Sequence, residues 1–292
     1  MNRNMQGYLE ETEARILSHL EGNHVSDTIR VASSYSVKAG GKKFRPYLLF
    51  ATLEALGKDP MQGIHAAAAI EMIHTYSLIH DDLPAMDDDD YRRGKPTNHK
   101  VFGEAAAILA GDTLLTESFS VMASDEAISA EKRLAIISRL ASKAGFNGMI
   151  GGQMLDIEAE GEEISFRQLE HIHQYKTGQL IMLPVECACI IADAPGEIMD
   201  RLLEFAEKLG ILFQIRDDIL DVEGDMAVTG KQSGSDERKN KMTYVSTYGL
   251  EGAHQELSNL TDSAGGILDD LSGKINIQEL HNVLQMFAVR DQ

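Results

Sequence analysis

The chain has 292 residues, 43% of them hydrophobic, and a formal net charge of -19, enough for a large core and too acidic to favour nucleic acid or an anionic membrane surface as partner. Its two cysteines, Cys187 and Cys189, lie two apart in a helical stretch and are too few for a structural zinc, so reduced thiols in a cytoplasmic protein are expected. The polar, acidic start from Met1 to Glu13 does not suit a signal peptide, and no uninterrupted apolar run is read as long enough to span a bilayer.

Residues 8 to 20 and 25 to 38 read as amphipathic helices, with Leu9, Ile16, Leu17 and Leu20 on one apolar stripe. Gly40-Gly41-Lys42-Lys43-Phe44-Arg45-Pro46 then makes a loop and a helix start, where backbone amides, Lys42 and Arg45 would hold a phosphate; a C-cap with solvated lysines is the simpler alternative. Core helices are expected over 47–56 and 61–79, with Ala66 to Ala69 allowing close packing. His74 falls seven residues before Asp81 and so on about the same helix face, as a packed residue or as a ligand.

That second helix runs into Asp81-Asp82-Leu83-Pro84-Ala85-Met86-Asp87-Asp88-Asp89-Asp90-Tyr91-Arg92-Arg93-Gly94, six carboxylates followed by a basic pair. Such carboxylates stay ionised only in water or beside cations, and clustered hard oxygens suit Mg²⁺. Alone, an acidic run is more often a solvated loop than a metal site. Asp81 and Asp87 are six apart and would leave a common face of an undistorted helix. Pro84 interrupts the hydrogen-bond ladder, so Leu83 to Met86 would bulge out and bring Asp87 back toward Asp81.

An alanine- and leucine-rich helix follows over 104–115 and another over 131–150, ending near Gly151-Gly152 ahead of Gln153 and Asp156. Ser165 reads as the N-cap of a helix through Tyr175, three residues before Gln168. It leads into Lys176-Thr177-Gly178, where Gly178 and Pro184 would deform a helix that is otherwise apolar to Ala192 and free backbone carbonyls for a ligand.

The helix over 197–222 buries Leu202, Phe205, Leu209 and Phe213 and carries a second acidic cluster. Gln214, Asp217 or Asp218, and Asp221 share one helix face. Residues 224 to 241 form a polar loop, a candidate lid bearing Lys231 and Lys241. Helices over 250–260, 264–271 and 277–289 finish the chain, with Arg290 near the terminus.

The paired patterns, Asp-Asp-x-x-x-x-Asp with Arg-Arg-Gly and Gln-x-x-Asp-Asp-x-x-Asp, resemble the two aspartate-rich motifs of the trans-prenyl diphosphate synthases, and matching blocks run from Gly40 to Thr243. Within that family the sequence is most similar to the bacterial farnesyl diphosphate synthases, or geranyltranstransferases. The resemblance implies head-to-tail condensation of isopentenyl diphosphate with dimethylallyl and geranyl diphosphate, with three Mg²⁺ ions at the site. It assigns metal binding to Asp81, Asp82, Asp87, Asp217, Asp218 and Asp221. It places isopentenyl diphosphate on Lys42, Arg45, His74 and Arg93, and the allylic diphosphate on Arg92, Lys176, Lys231 and Lys241. Thr177, the Lys176 carbonyl and Gln214 would face the developing carbocation, and Tyr76 would limit product length.

Helical period almost throughout and no convincing alternating strand predict an all-α protein, one polyprenyl synthetase domain over 1–292, of the isoprenoid synthase type with about ten or more helices around a central cavity. The family is typically homodimeric. A geranylgeranyl diphosphate synthase and a non-catalytic partner subunit are the nearby alternatives. A carboxylate-bridged di-iron bundle is a third, because Glu71 with His74 and Glu170 with His173 make Glu-x-x-His pairs.

Overall fold

The computed structural model describes residues 3–22, 24–223 and 242–288. Lys231, Lys241, Arg290 and the loop expected over 224–241 lie outside the described residues. The described chain is all-α apart from one small hairpin.

It divides into two compact units, Met1–Phe50 with Asp59–Ser138, and Ala51–Lys58 with Arg139–Gln292. The first unit opens with α1 (Arg3–Leu20) and α2 (Asp27–Val37), the latter capped by the Ser26 hydroxyl accepting from the Ile29 N–H. Next come the start of α3 (Phe44–Ala55), then α4 (Ile64–Asp81), α5 (Asn98–Phe102), α6 (Glu104–Ala123) and the start of α7 (Ala130–Ala144). Helix α4 is the spine, packing against α1 and α6, with Ala66 to Ala69 fully buried as their small size allows. Leu9, Ile16 and Leu20 bury as the periodicity predicts, whereas Leu17 is only half-buried.

One glycine sets the α4–α6 approach. A Cβ on Gly111 of α6 would stand 2.2 Å from His80 Nε2, and that nitrogen lies 3.1 Å from the Ile108 carbonyl. Helix α6 is also long and apolar enough to cross a membrane by length and composition alone, which corrects the expectation that no run qualifies. It instead buries Ala107, Ala110, Leu114, Val121 and Met122 inside the first unit.

In the second unit α8 (Met149–Glu158), α9 (Phe166–His173), α10 (Gln179–Ala192), α11 (Gly196–Glu223), α12 (Tyr244–Leu271) and α13 (Gln278–Ala288) follow the end of α7. Helix α11 packs against α10, α12 and α13, burying Leu202, Phe205 and Leu209 completely. Phe213 is only half-buried and meets Phe287 at a ring separation of 6.0 Å. Ser165 does cap α9 through a reciprocal capping box with Gln168.

Two helix boundaries differ from expectation. The helix expected over 131–150 is broken, because the Gly145 N–H closes the last turn of α7 on Ala141 and the Gly148 N–H turns the chain back to Gly145 at 3.0 Å. The break expected after residue 260 is absent: Thr261 returns its hydroxyl to the Leu257 carbonyl at 2.7 Å, so the polar stretch stays helical. Helix α12 bends instead at Gly249, whose φ of 72° is open to glycine and strained for other residues.

Candidate active site

The first acidic cluster sits where α4 stops. The Met86 N–H donates to the Leu83 carbonyl at 2.9 Å, closing a turn with Pro84 at its second position, where a fixed φ is favourable. This turn returns the chain so that the Asp87 N–H donates to the Asp81 carbonyl at 2.8 Å. The expected return of Asp87 toward Asp81 is therefore present, as a turn that ends the helix rather than a bulge within it.

Downstream, β1 (Tyr91–Arg92) and β2 (Lys95–Pro96) pair antiparallel, Arg92 opposite Lys95. The two-residue tip is Arg93 at φ 53° and Gly94 at φ 73°, as a two-residue hairpin with a primed turn requires. A left-handed arginine is uncommon, and here it has a contact to show for it. The Arg93 guanidinium donates to the Gly40 carbonyl and lies where a Cβ on Gly41 would come within 2.5 Å. Helix α3 begins three residues after Gly41 and carries Arg45 in its first turn.

Carboxylate–cation pairs order this part of the chain, among them Arg92 with Asp89 at 3.6 Å. Arg92 Nε donates to Asp82 Oδ1 at 2.7 Å, Lys100 reaches Asp90 at 2.6 Å, and Lys43 bonds Glu13 of α1. Lys42 and Lys43 line a cavity of about 390 Å³ with Glu10 and Glu13. His74 is half-buried on α4. Desolvation, and then Arg45, Arg93 and Arg92, push its pKa well below the ordinary value, so it is a neutral imidazole at pH 7. Two positions further on, Tyr76 is 4% exposed and its hydroxyl has no hydrogen-bond partner.

The second set belongs to the other unit. A π-helical turn, Gln174–Gly178, holds Lys176 and Thr177; such turns displace backbone hydrogen bonds and are frequent at functional sites. This, rather than a bend at Pro184, is the deformation anticipated around Gly178. Helix α8 approaches the turn through Gly152, where a Cβ would stand 2.1 Å from the Lys176 nitrogen. Asp156, one turn further along α8, accepts from Lys176 Nζ at 2.6 Å.

Gln214, Asp217 and Asp221 are half-buried near the end of α11. Asp218 is buried and accepts the Tyr244 N–H at 2.7 Å, so it fastens the first turn of α12. Phe166 packs edge-on against Tyr244 at 5.1 Å and completes that anchor.

Both clusters lie near helix C-termini, and Asp81 and Asp221, in the last turns, sit where the macrodipole is negative and a carboxylate is unfavourable by about 0.3–1 kcal/mol. Cations relieve that cost. Among the described residues no three His, Cys, Asp or Glu side chains form a metal-holding group on their own. Half-exposed Asp81, Asp87, Asp217 and Asp221 fit a hard ion that takes one or two carboxylates and completes its shell with water and phosphate oxygens, as Mg²⁺ does. Asp82 accepts from Arg92 and Asp218 from the Tyr244 N–H, and both are buried.

Glu71 is a residue whose surroundings the sequence did not signal beyond its Glu-x-x-His spacing. It is 5% exposed, and burial raises its pKa against the opposing influence of Arg45, Arg93 and Lys43. In the other such pair Glu170 is exposed and His173 stacks on Tyr244 with ring centroids 6.0 Å apart.

Residues 26–271 match the polyprenyl synthetase family, a span that includes both acidic clusters. The chain is 51% identical over 285 residues to the farnesyl diphosphate synthase of Geobacillus stearothermophilus, covering 97% of this chain and 94% of that protein. It is 47% identical over 281 residues to the farnesyl diphosphate synthase of Bacillus subtilis (strain 168), covering 96% and 94%. A solved geranyltransferase from Helicobacter pylori, complexed with magnesium and isoprenyl diphosphate, is similar with a TM-score of 0.81 at 32% identity, covering 98% of this chain and 95% of that one. The chain belongs to the polyprenyl synthetase family.

Proposed function

We propose that this chain is a Mg²⁺-dependent prenyltransferase that condenses isopentenyl diphosphate with dimethylallyl and then geranyl diphosphate to give farnesyl diphosphate, residues 1–292 acting as one catalytic domain. The observation that carries this reading is the placement of two aspartate clusters at helix C-termini, each in a unit that also presents cations: Arg92 and Arg93 in one, Lys176 in the other. Near full-length kinship with farnesyl diphosphate synthases supports the product.

Asp81, Asp87, Asp217 and Asp221 would hold up to three Mg²⁺ ions, with Asp82 and Asp218 as further ligands or as anchors. Bound Mg²⁺ neutralises charge building on the diphosphate as it leaves. Lys42, Arg45, His74 and Arg93 bind isopentenyl diphosphate, and Arg92 and Lys176 bind the allylic diphosphate, joined by Lys231 and Lys241. The allylic carbon–oxygen bond breaks, the terminal double bond of isopentenyl diphosphate forms the new carbon–carbon bond, and a proton passes to the released diphosphate. Thr177, the Lys176 carbonyl and Gln214 offer oxygen dipoles to the transient cation, while apolar walls exclude water.

We further place the enzyme in the cytoplasm as a homodimer. Exposed apolar side chains on helix α6, Ile108 and Leu109 at 43% and 48%, are compatible with the pairing.

Incubation with isopentenyl diphosphate, geranyl diphosphate and Mg²⁺, followed by chromatography, tests the activity. Farnesyl diphosphate is expected, and its formation stops with a chelator. No prenyl product would overturn the reading, and a twenty-carbon main product would reassign it to geranylgeranyl diphosphate synthesis.

A further inference from the structure

The π-helical turn Gln174–Gly178 closes where the Gln179 N–H donates to the Gln174 carbonyl, five residues back. An α-helical turn would close one residue sooner and rotate Lys176 and Thr177 by about 100° relative to α10. The π register therefore needs neighbours to hold it. Backbone packing supplies part of that hold: a Cβ on Gly152 of α8 would stand 2.1 Å from the Lys176 nitrogen, and one on Gly210 of α11 would stand 3.2 Å from the Gly178 Cα.

The rest is polar and runs through the Gln179 side chain. Its Nε2 donates to the same Gln174 carbonyl, in a long bond of 3.4 Å. Its Oε1 accepts from Lys143 Nζ at 2.9 Å, a contact that spans 36 positions and comes from the last turn of α7. Lys143 is held in turn by Glu186, whose Oε1 lies 3.4 Å from Nζ and whose Oε2 lies 3.9 Å from Arg139 Nε. The Glu186 side chain is 7% exposed and that of Lys143 14%, so the ammonium is a fixed donor, and a charged donor makes the stronger bond. The reaction described above uses none of Lys143, Gln179 and Glu186.

We propose that Gln179 is a positioning residue for the allylic diphosphate: fixed by Lys143, it pins the Gln174 carbonyl and so keeps Lys176 and Thr177 in the π register. This rests on the assignment of Lys176 and Thr177 to the allylic partner made above. Gln179 and Lys143 do not touch the substrate; they act through the turn. The residues assigned to isopentenyl diphosphate, Lys42, Arg45, His74 and Arg93, are all outside this turn, so the effect falls on one substrate.

The test is steady-state kinetics of wild type, Gln179→Met, Lys143→Met and the double variant, with each substrate varied in turn. Gln179→Met keeps the length of the side chain and removes both of its bonds. It is expected to raise KM for geranyl diphosphate about tenfold while KM for isopentenyl diphosphate stays within about twofold. Lys143→Met removes only the outer bond, and is expected to raise the same KM about threefold. Because both side chains act along one path, the double variant is expected to match Gln179→Met.

A merely structural role would lower Tm and the yield of active enzyme without separating the two KM values. An unchanged KM for geranyl diphosphate in Gln179→Met, or an equal rise for both substrates, overturns the proposal. So does a double variant whose rise is the product of the two single rises. If Lys143→Met leaves Glu186 uncompensated and does not fold, Gln179→Met alone decides by the same criterion. Wild type that makes no prenyl product refutes the assigned function, whereas an active wild type with an unaffected Gln179→Met variant refutes this role alone.

Discussion

The backbone N–H of Asp87 is bonded to the carbonyl of Asp81 at 2.8 Å, although a turn of helix would have carried them apart. The bond closes the loop through Pro84 and sets two half-exposed carboxylates at the negative end of α4. Removing one of them relieves repulsion while deleting a ligand. Asp81→Ala and Asp217→Ala are therefore expected to lower kcat by at least about 100-fold with Tm unchanged or slightly raised. Assays across a Mg²⁺ titration, with thermal melts alongside, check this; near wild-type turnover in either variant would remove that residue from the metal set.

Asp218 should behave differently from its neighbour. It accepts the Tyr244 N–H at 2.7 Å from a buried position, a contact of the kind that caps a helix. Asp218→Ala is expected to lose about 1–2 kcal/mol of stability relative to wild type, measurable by denaturant unfolding. An Asp218→Ala variant as stable as wild type would show that the anchor is not important to the fold.

Tyr76 lies five residues before Asp81 on α4, about 7 Å along the axis. Its buried hydroxyl has no partner, so the ring is held by packing, including an edge-on contact with His80 at 5.7 Å. Tyr76→Ala is expected to let a growing chain pass and to shift product from farnesyl toward geranylgeranyl diphosphate. Chromatography decides it: a folded, active variant that still stops at fifteen carbons would place the limit elsewhere.

The two cysteines should be inert in the native chain. Burial, and then the charge of Glu186, push the Cys189 thiol from 9.0 up to about 12, and Cys187 is raised by the same causes. Well below pH 9 both thiols are largely protonated whether folded or not, so they add little pH dependence there. As pH rises from about 9 to about 12 the unfolded chain releases protons that the folded chain retains, and stability falls. Native protein at pH 8 is expected to resist iodoacetamide while denatured protein is labelled at both sites. Rapid native labelling would contradict the burial.

The helical class, both acidic clusters, their basic neighbours and the Ser165 cap were legible in the sequence, because each depends on spacing within a few turns of one segment. Even the return at Pro84 is local, since a proline and six residues of chain suffice. The helix boundaries at Gly145 and Gly249 were less legible, because a glycine or a polar triplet permits either a break or continuation, and the neighbouring packing chooses. The division of labour within each Asp-Asp pair could not be read at all. It is set by Arg92 reaching Asp82 and by Tyr244 reaching Asp218, the second contact spanning 26 positions of chain. Side-chain charge is written in the sequence, but which charges meet depends on contacts between distant segments, and those exist only once the helices have packed.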